Sequence, residues 1–324
     1  MRNPSPASTL MVRHMHWATR VQRTMRPRLK QIATNWQLYL LILPVFVYFL
    51  VFKYVPMYGV QIAFKDFNAA AGIWGSPWVG FKHFERFFNS YQFWPVLRNT
   101  LFLSVYSLIA SFPLPIIVAL MLNQLTSERF KRFVQTVLYA PTFISTVVLV
   151  GMLYVFMAPN GLVNNLITLL GGEPIQFMAR PEWFPSLYVW SGVWQGTGFA
   201  AIVYLAALTT VDPGLHEAAR IDGANKLQRI WHIDLPVLMP TITILLILAV
   251  GNIMNVGFEK VLLMQTPLNK SASQVIQTYV YEVGLVRAQY SFSAAVGLFN
   301  SIINLILLIV FNWFARRFSA TSLW

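Results

Sequence analysis

Long apolar runs separated by short polar connections set the pattern of this 324-residue chain. A helix needs roughly 20 apolar residues to cross a hydrocarbon core of about 30 Å. Six runs are long enough, and they lie at about 36–58, 100–124, 135–157, 185–209, 237–257 and 292–314. The pattern predicts an all-α integral membrane protein with about six transmembrane helices.

Composition supports a membrane protein over a soluble one. Apolar residues make up 56% of the chain, only 11% are charged, and the mean hydropathy is +0.56. A soluble domain usually carries about a quarter charged residues. The absence of cysteine excludes a disulfide framework and a thiolate metal site.

Enzyme signatures are missing from the sequence. It contains neither HExxH nor GxSxG, and its five histidines do not follow metal-ligand spacing. It also lacks a GxxxxGK[ST] phosphate loop, so this chain does not bind ATP in that manner. We therefore predict a chain without catalytic residues, bound metal or cofactor of its own.

Basic residues in the connections predict the orientation. With the N-terminus in the cytoplasm, 15 Lys and Arg residues lie inside and 9 lie outside, and the net charges are +10 and +3. Residues 1–35 hold seven of the basic residues and no acidic one. We interpret them as a basic cytoplasmic arm rather than an organelle transit peptide, followed by a transmembrane domain over 36–324. Both termini would then be cytoplasmic.

The spans are expected to carry neutral polar groups and no charge. Proton-coupled and many ion-coupled carriers need a titratable group at membrane depth, so the energy for pumping would come from elsewhere. The neutral groups could hydrogen-bond between helices, or they could line a wetted passage for a hydroxyl-rich solute. These candidate pathway residues are Tyr188, Trp190, Trp194, Gln195, Asn252, Asn255, Asn300 and Asn304.

A charged segment at about 212–236 interrupts the apolar pattern. Asp212 and Pro213 form a helix start, with an N-cap side chain and proline at the first helical position. Gly223 permits a turn, and a second helix, "ANKLQRIW", is expected to end at Leu235-Pro236 before the next span. The segment would expose two short helices with small residues that allow a partner to approach closely.

This segment resembles the EAA signature of ABC importer permeases. "EAA", "DGA" and "I-x-LP" recur at the spacing of that family in Glu217, Ala218, Ala219, Asp222, Gly223, Ala224, Ile233, Leu235 and Pro236. The resemblance implies coupling helices that dock in a cleft of the ATP-hydrolysing subunit. It makes Glu217 the charged contact and Gly223 the bend.

The likeness extends to "YGVQIAFKDFNAAAGIWGSPWVGFKHFERFF", "LRNTLFLS" and "VLYAPTFIS". These stretches resemble the maltose-type sugar-importer permeases, above all the polysaccharide branch that includes alginate importers. The family implies a location in the bacterial inner membrane, a second permease in a heterodimer, two ATPase subunits that bind ATP and Mg²⁺, and no nucleic acid. It also implies a periplasmic or extracellular solute-binding protein, which would dock on the outer connections 53–99, 158–184 and 258–291.

Other interpretations stay open at this point. The chain could be an ABC permease for a lipid-linked sugar or a peptide, or a secondary carrier or channel. A membrane-embedded enzyme would need interfacial carboxylates, for which only Asp66 and Glu85 are candidates in the first outer connection. The net charge of +3 outside suits an anionic sugar polymer, but it suits the docking surface of a partner equally well. "GLVNNLITLLG" at 161–171 could be an outer gate helix or a plain interfacial loop.

Overall fold

A computed structural model describes residues 34–318, and these residues are almost entirely helical. Within this range no strand forms, and the sole β feature is an isolated bridge between Lys65 and Trp78. The proposed basic arm at 1–35 lies outside the described residues except for its last two. The all-α prediction is confirmed.

The chain divides into two compact units, with the boundary between Gln61 and Ile62. In the first unit, helix α1 (Trp36–Phe49) continues through a π-turn at Leu50–Tyr54 into α2 (Val55–Met57). A 3₁₀ segment at Tyr58–Phe64 follows, and the boundary between the units falls within it.

The second unit contains the remaining helices. They are α3 (Gly72–Gly75), α4 (Lys82–Phe88), α5 (Phe93–Ser111), α6 (Pro113–Asn123), α7 (Glu128–Tyr139), α8 (Thr146–Phe156), α9 (Leu162–Leu169), α10 (Phe184–Leu208), α11 (Pro213–Ile221), α12 (Lys226–Arg229), α13 (Leu235–Gly251), α14 (Phe258–Met264), α15 (Lys270–Ser273), α16 (Ile276–Tyr281) and α17 (Tyr290–Phe318). A 3₁₀ turn at Ala140–Phe143 and π-turns at Ile230–Asp234 and Glu282–Val286 connect some of them.

Five helical segments among the described residues are long and apolar enough to cross a membrane. They are Trp36–Phe64, Phe93–Asn123, Phe184–Leu208, Lys226–Gly251 and Tyr290–Arg317. A sixth crossing is possible if the bent pair Glu128–Phe143 and Thr146–Phe156 counts as one span. The predicted number of spans is therefore in agreement with the structure.

The third predicted span, 135–157, is not the straight helix that the apolar run suggested. Its two halves meet at 95°. Ser145 caps the second half, where its hydroxyl accepts from the Val148 N–H, and the Ile144 carbonyl accepts a hydrogen bond from Gln195 Nε2 at 2.7 Å. Side chains thus satisfy the backbone at the break, which makes a bend tolerable within an apolar segment.

Helix α10 lies at the centre of the second unit and packs against α5, α6 and α13. It also approaches α7 closely at Gly198, where a Cβ atom would lie only 2.0 Å from the Leu138 carbonyl oxygen. Only glycine permits this separation. The close contact fixes the position of the bent segment against the bundle.

The expectation of uncharged spans is wrong. Lys53 lies in Trp36–Phe64 and Arg98 lies in Phe93–Asn123. The fifth predicted span, 237–257, begins in the polar segment at Lys226 rather than near residue 237, so its helix also includes Arg229 and Asp234. Both side chains are buried, and Asp234 is completely inaccessible. Hydrogen-bonding partners stabilise this buried carboxylate, as described below.

Candidate functional site

The polar segment at 212–236 begins with the helix start that the sequence predicts. The Asp212 carboxylate accepts a hydrogen bond from the Gly214 N–H at 2.9 Å, and Pro213 occupies the first helical position of α11. Proline costs little there, because its missing N–H would have no helical partner. Helix α11 then runs to Ile221 and presents Glu217 to solvent.

Gly223 forms the turn after α11, as predicted. Its φ of +82° lies in the left-handed region. The Ala224 N–H donates to the Ala219 carbonyl at 2.8 Å and the Gly223 N–H donates to the Arg220 carbonyl at 3.1 Å. This pair of bonds is the Schellman motif, in which glycine is favoured because it has no Cβ.

We expect Gly223→Ala to destabilise this turn by about 1 kcal/mol, because alanine resists a positive φ. The loop would shift, and the transport that the resemblance to importer permeases implies would fall several-fold while membrane insertion persists. Gly297→Ala is a matched control, since a Cβ there meets open space and the residue has no positive φ. Transport assays on both variants in proteoliposomes would check this; equal activity would show that the turn geometry does not matter.

The second helix of the segment does not end where the sequence suggested. Asn225 and Gln228 form a capping box that starts α12, with hydrogen bonds of 2.8 and 2.9 Å. The helix then passes through the π-turn at Ile230–Asp234 directly into α13. In this turn the Leu235 N–H donates to the Ile230 carbonyl, so the wider turn accommodates the missing N–H of Pro236. The segment is thus continuous with the rest of the span Lys226–Gly251.

A buried polar cluster ties α11 to two spans. Asp234 Oδ1 lies 3.1 Å from His216 Nε2, and Asp234 Oδ2 accepts from Gln124 Nε2 at 2.9 Å. Asn123 at the end of α6 also donates to Oδ1, at 3.4 Å. Sequence reasoning missed this cluster, although an acidic residue directly before Leu235-Pro236 at the start of an apolar run was a usable signal. The cluster therefore joins α11 to the span Lys226–Gly251 and to the end of the span Phe93–Asn123.

The exposed surface of this segment combines apolar side chains with small residues. Leu215, Ile221, Leu227 and Trp231 are all more than half exposed. Beside them lies a cavity of about 330 Å³, lined by Ala219, Asp222, Gly223, Ala224, Gln228, Arg229, His232 and Ile233. An exposed apolar surface next to a cavity is typical of a protein-binding site.

The predicted signature residues fall into three groups around this surface. Five of them line the cavity: Ala219, Asp222, Gly223, Ala224 and Ile233. Glu217 and Ala218 are exposed on α11. Leu235 and Pro236 lie in the first turn of α13, where the segment joins its span.

Three of the predicted pathway amides meet in one cluster. Asn255 Oδ1 accepts hydrogen bonds from Asn300 Nδ2 at 3.0 Å and from Gln277 Nε2 at 3.1 Å. The Asn255 amide also donates to Asn252. The cluster therefore joins the end of α13 to α16 and α17.

A cavity of about 230 Å³ lies beside Asn252 and Asn255, and serines form its other wall. Its lining includes Ser104, Ser107 and Ser111, and the buried hydroxyls of the first two have no hydrogen-bond partner in the described part of the chain. Sequence reasoning missed these serines, although their i, i+3, i+7 spacing places them on one face of α5. The wall offers hydroxyl and amide groups to a polar solute.

Tyr188 also lines this cavity and is the only one of the predicted aromatic residues that does. Lys260 lies against it: its Nζ donates to the Tyr188 carbonyl at 2.8 Å and lies 4.8 Å from the ring centroid. Burial lowers the pKa of Lys260 to about 8, so the amine remains mostly protonated at neutral pH. A cation thus lies behind the polar cavity.

The other predicted pathway residues have separate positions. Trp190 donates from Nε1 to the Tyr106 hydroxyl at 2.9 Å, and Trp194 is half exposed. Gln195 holds the break before α8, and Asn304 accepts from the Met254 N–H at 3.0 Å. The hydrogen bonds of Trp190, Gln195 and Asn304 are of the interhelical and capping kind. None of the four residues lines the cavity beside Asn252 and Asn255, which we call the serine–amide cavity.

Comparison with known proteins assigns the chain to a family. Residues 111–320 match the model for the inner membrane component of binding-protein-dependent transport systems. The polygalacturonan/rhamnogalacturonan transport system permease protein YteP of Bacillus subtilis (strain 168) is 45% identical over 89% of this chain and 90% of its own length. Protein LplB of the same organism is 45% identical over 88% of this chain and 90% of its own length.

Two solved structures are similar in fold. One is a bacterial alginate ABC transporter in complex with alginate pentasaccharide-bound periplasmic protein; a chain of it superposes with a TM-score of 0.84 at 40% identity, covering 91% of this chain and 99% of that one. The other is a bacterial ABC transporter involved in the import of the acidic polysaccharide alginate. A chain of it superposes with a TM-score of 0.82 at 41% sequence identity, covering 89% of this chain and 98% of that one.

The chain therefore belongs to the family of inner membrane components of binding-protein-dependent transport systems. The resemblance predicted from the EAA signature is confirmed. The chain is a multi-pass permease of the ABC importer type, and the relatives that it matches are transport subunits.

Proposed function

We propose that this chain is one permease of an ATP-driven importer for an acidic oligo- or polysaccharide. The observation that carries the proposal is the construction of the 212–236 segment. Its Schellman turn, capping box and buried Asp234 make a rigid element that is exposed at one end and continuous with a span at the other. Such an element can transmit a partner's movement into the membrane.

The partners follow from the number of docking elements. This chain offers one such segment, whereas a dimer of ATPase subunits presents two clefts. A second, different permease supplies the other segment, and two separate ATPase subunits bind ATP and Mg²⁺. A solute-binding protein delivers the saccharide to the outer connections, and both termini of this chain lie in the cytoplasm, as the excess of basic residues favours.

The residues have separate roles in this proposal. Glu217 makes the charged contact with the ATPase, and the exposed Leu227 and Trp231 fill its cleft. Gly223 sets the bend, and the small residues Ala218, Ala219 and Ala224 allow close approach. Ile233, Leu235 and Pro236 join the segment to the span, whereas Asp222 lies at the cavity rim.

Solute passage is assigned to the serine–amide cavity. Hydroxyl-rich solutes exchange hydrogen bonds with Ser107, Asn252 and Asn255 as the spans rock between inward-facing and outward-facing states. Trp190, Trp194, Gln195, Asn300 and Asn304 support the helices around this route. ATP changes the equilibrium only through its different affinity for the two states.

An acidic saccharide is favoured over a neutral one by two observations. The relatives named for polygalacturonan/rhamnogalacturonan and for alginate are named for polymers that contain uronate units. In this chain, Lys260 places a buried cation next to the polar cavity.

Purification of the tagged chain from its native membrane tests the assembly. We expect a second permease and a phosphate-loop ATPase to be recovered with it and identified by mass. The ATPase rate of this complex should rise when an oligogalacturonate is presented on its binding protein, and should stay basal with a neutral glucan of equal length. Recovery of the chain alone would contradict the proposal, and equal stimulation by both glycans would contradict the acidic substrate.

A further inference from the structure

A large polar cavity lies at the end of the bundle opposite the 212–236 segment. It has a volume of about 450 Å³ and lies between the start of α5 and the connections around α15 and α16. The helix Phe93–Asn123 separates the two ends: Asn99 lines the cavity, and Asn123 contacts Asp234. A 31-residue helix is roughly 45 Å long, so the cavity is on the outer side in the proposed orientation.

Arg86 provides a pre-oriented cation in this cavity. Its guanidinium lies 4.7 Å from the centre of the Phe292 ring and donates from Nη2 to Gln289 Oε1 at 2.9 Å. Both of these contacts are with neutral groups. The planar fork is therefore held in place while its positive charge stays available for an anion, and such a fork matches the geometry of a carboxylate.

Both carboxylate oxygens of Glu282 already accept hydrogen bonds from other side chains that line the cavity. One carboxylate oxygen accepts from Lys270 at 2.8 Å and from Gln274 at 2.9 Å, and the other accepts from Arg287 at 2.5 Å. Burial by itself would raise the pKa of Glu282, but the hydrogen bonds from Lys270 and Arg287 outweigh it and hold the pKa below its usual range. With three cations and one anion, the lining has an excess of two positive charges.

The remaining lining resembles a saccharide site rather than a flat protein-docking surface. Amides and hydroxyls from Ser90, Gln92 and Asn99 face the cavity, and Tyr91 contributes a largely exposed ring. The volume falls within the range of small-molecule sites, whose few polar groups fix the orientation of a ligand. Sugars bind such combinations of hydrogen-bonding groups and aromatic faces.

We propose that this cavity binds a carboxylate-bearing sugar unit of the imported saccharide on the outer face, with Arg86 as the carboxylate ligand. The inference rests on the proposed function and adds an entry site that is distinct from the serine–amide cavity. The uronate would be held here after it leaves the binding protein and before it enters the spans. Binding in this cavity also gives the importer a means of preferring acidic saccharides.

Equilibrium binding separates this site from the transport function. Trigalacturonate and its fully methyl-esterified form would be titrated into the complex solubilised from its own membrane, without binding protein. We expect the acid to bind more tightly than the ester. Arg86→Gln should weaken binding of the acid roughly tenfold, the loss typical of one charge-assisted contact, and leave binding of the ester unchanged.

Two further variants keep the result interpretable. Arg86→Lys retains the charge but not the fork, and should bind the acid with intermediate affinity. Arg180→Gln removes an exposed arginine from another outer connection and should bind like the wild-type complex. Thermal unfolding of each complex would show that the variants are folded.

Several results would overturn the proposal. They are equal binding of acid and ester to the wild-type complex, no saturable binding of either, or equal weakening of both by Arg86→Gln. Acid-selective binding without transport of any saccharide would contradict the proposed function and leave this site standing.

Discussion

Glu217→Lys is expected to weaken retention of the ATPase subunits about 100-fold and to abolish saccharide-stimulated ATP hydrolysis. Reversing a charge at a docking contact places like charges together, which costs several kcal/mol. Glu217 is exposed on α11, so the substitution should leave the fold of the permease intact. Co-purification of the ATPase with the tagged variant, followed by an ATPase assay, measures both effects.

Glu128→Lys provides the matched control for this result. Glu128 is also exposed and acidic, and it begins α7 in the connection predicted to face the cytoplasm with Glu217. Its reversal changes the net charge by the same amount, and we expect the ATPase to be retained. If Glu217→Lys retains the ATPase as well as the control does, Glu217 is not the charged contact.

Asp234→Ala is expected to destabilise the permease by about 3–5 kcal/mol, because it removes one partner of a buried polar cluster. His216 and Gln124 would lose their common acceptor. Since α11 would then be released from the span Lys226–Gly251, transport should fall more than basal ATP hydrolysis does. The temperature of half-unfolding, the transport rate and the ATPase rate of the same complex would test this.

A double-mutant cycle distinguishes a coupling role from a simple loss of stability. If His216 acts through Asp234, adding His216→Ala to Asp234→Ala should cost little more than the single change. Asp234→Asn retains a hydrogen-bonding side chain and should restore stability but only part of the coupling between ATP hydrolysis and transport. Fully additive effects would contradict a link between α11 and the span through this pair.

The polar segment shows how far the sequence alone could lead. Asp212, Pro213 and Gly223 act locally, because a cap, a first-turn proline and a positive φ depend only on neighbouring backbone atoms. Their roles were therefore predictable. The end of the second helix at Leu235-Pro236 was predicted wrongly, since a π-turn can absorb a proline that would stop an ordinary α-helix.

The candidate pathway shows where sequence patterns become ambiguous. Asn255 and Asn304 both fall in runs that the sequence predicts to be apolar helices, and the sequence offered the same two interpretations for each. In the structure, Asn255 joins an amide cluster next to a cavity, whereas Asn304 caps the Met254 N–H. The packing of α13 against α17 decides which environment each asparagine has. The hydrogen-bonding partners lie 45 to 50 residues apart in the chain, so no local pattern reveals them.

By itself the sequence determined the all-α membrane class, the approximate number of spans, the family and the signature residues of the polar segment. These depend on hydropathy over one helix length or on backbone chemistry within a few residues. Tertiary structure alone decided the 95° bend after α7, the burial of Asp234 with His216 and Gln124, and the cavity around Arg86. Each of these depends on contacts between residues that are distant in sequence, and their free energies come from satisfying buried polar groups across helices, which no local pattern records.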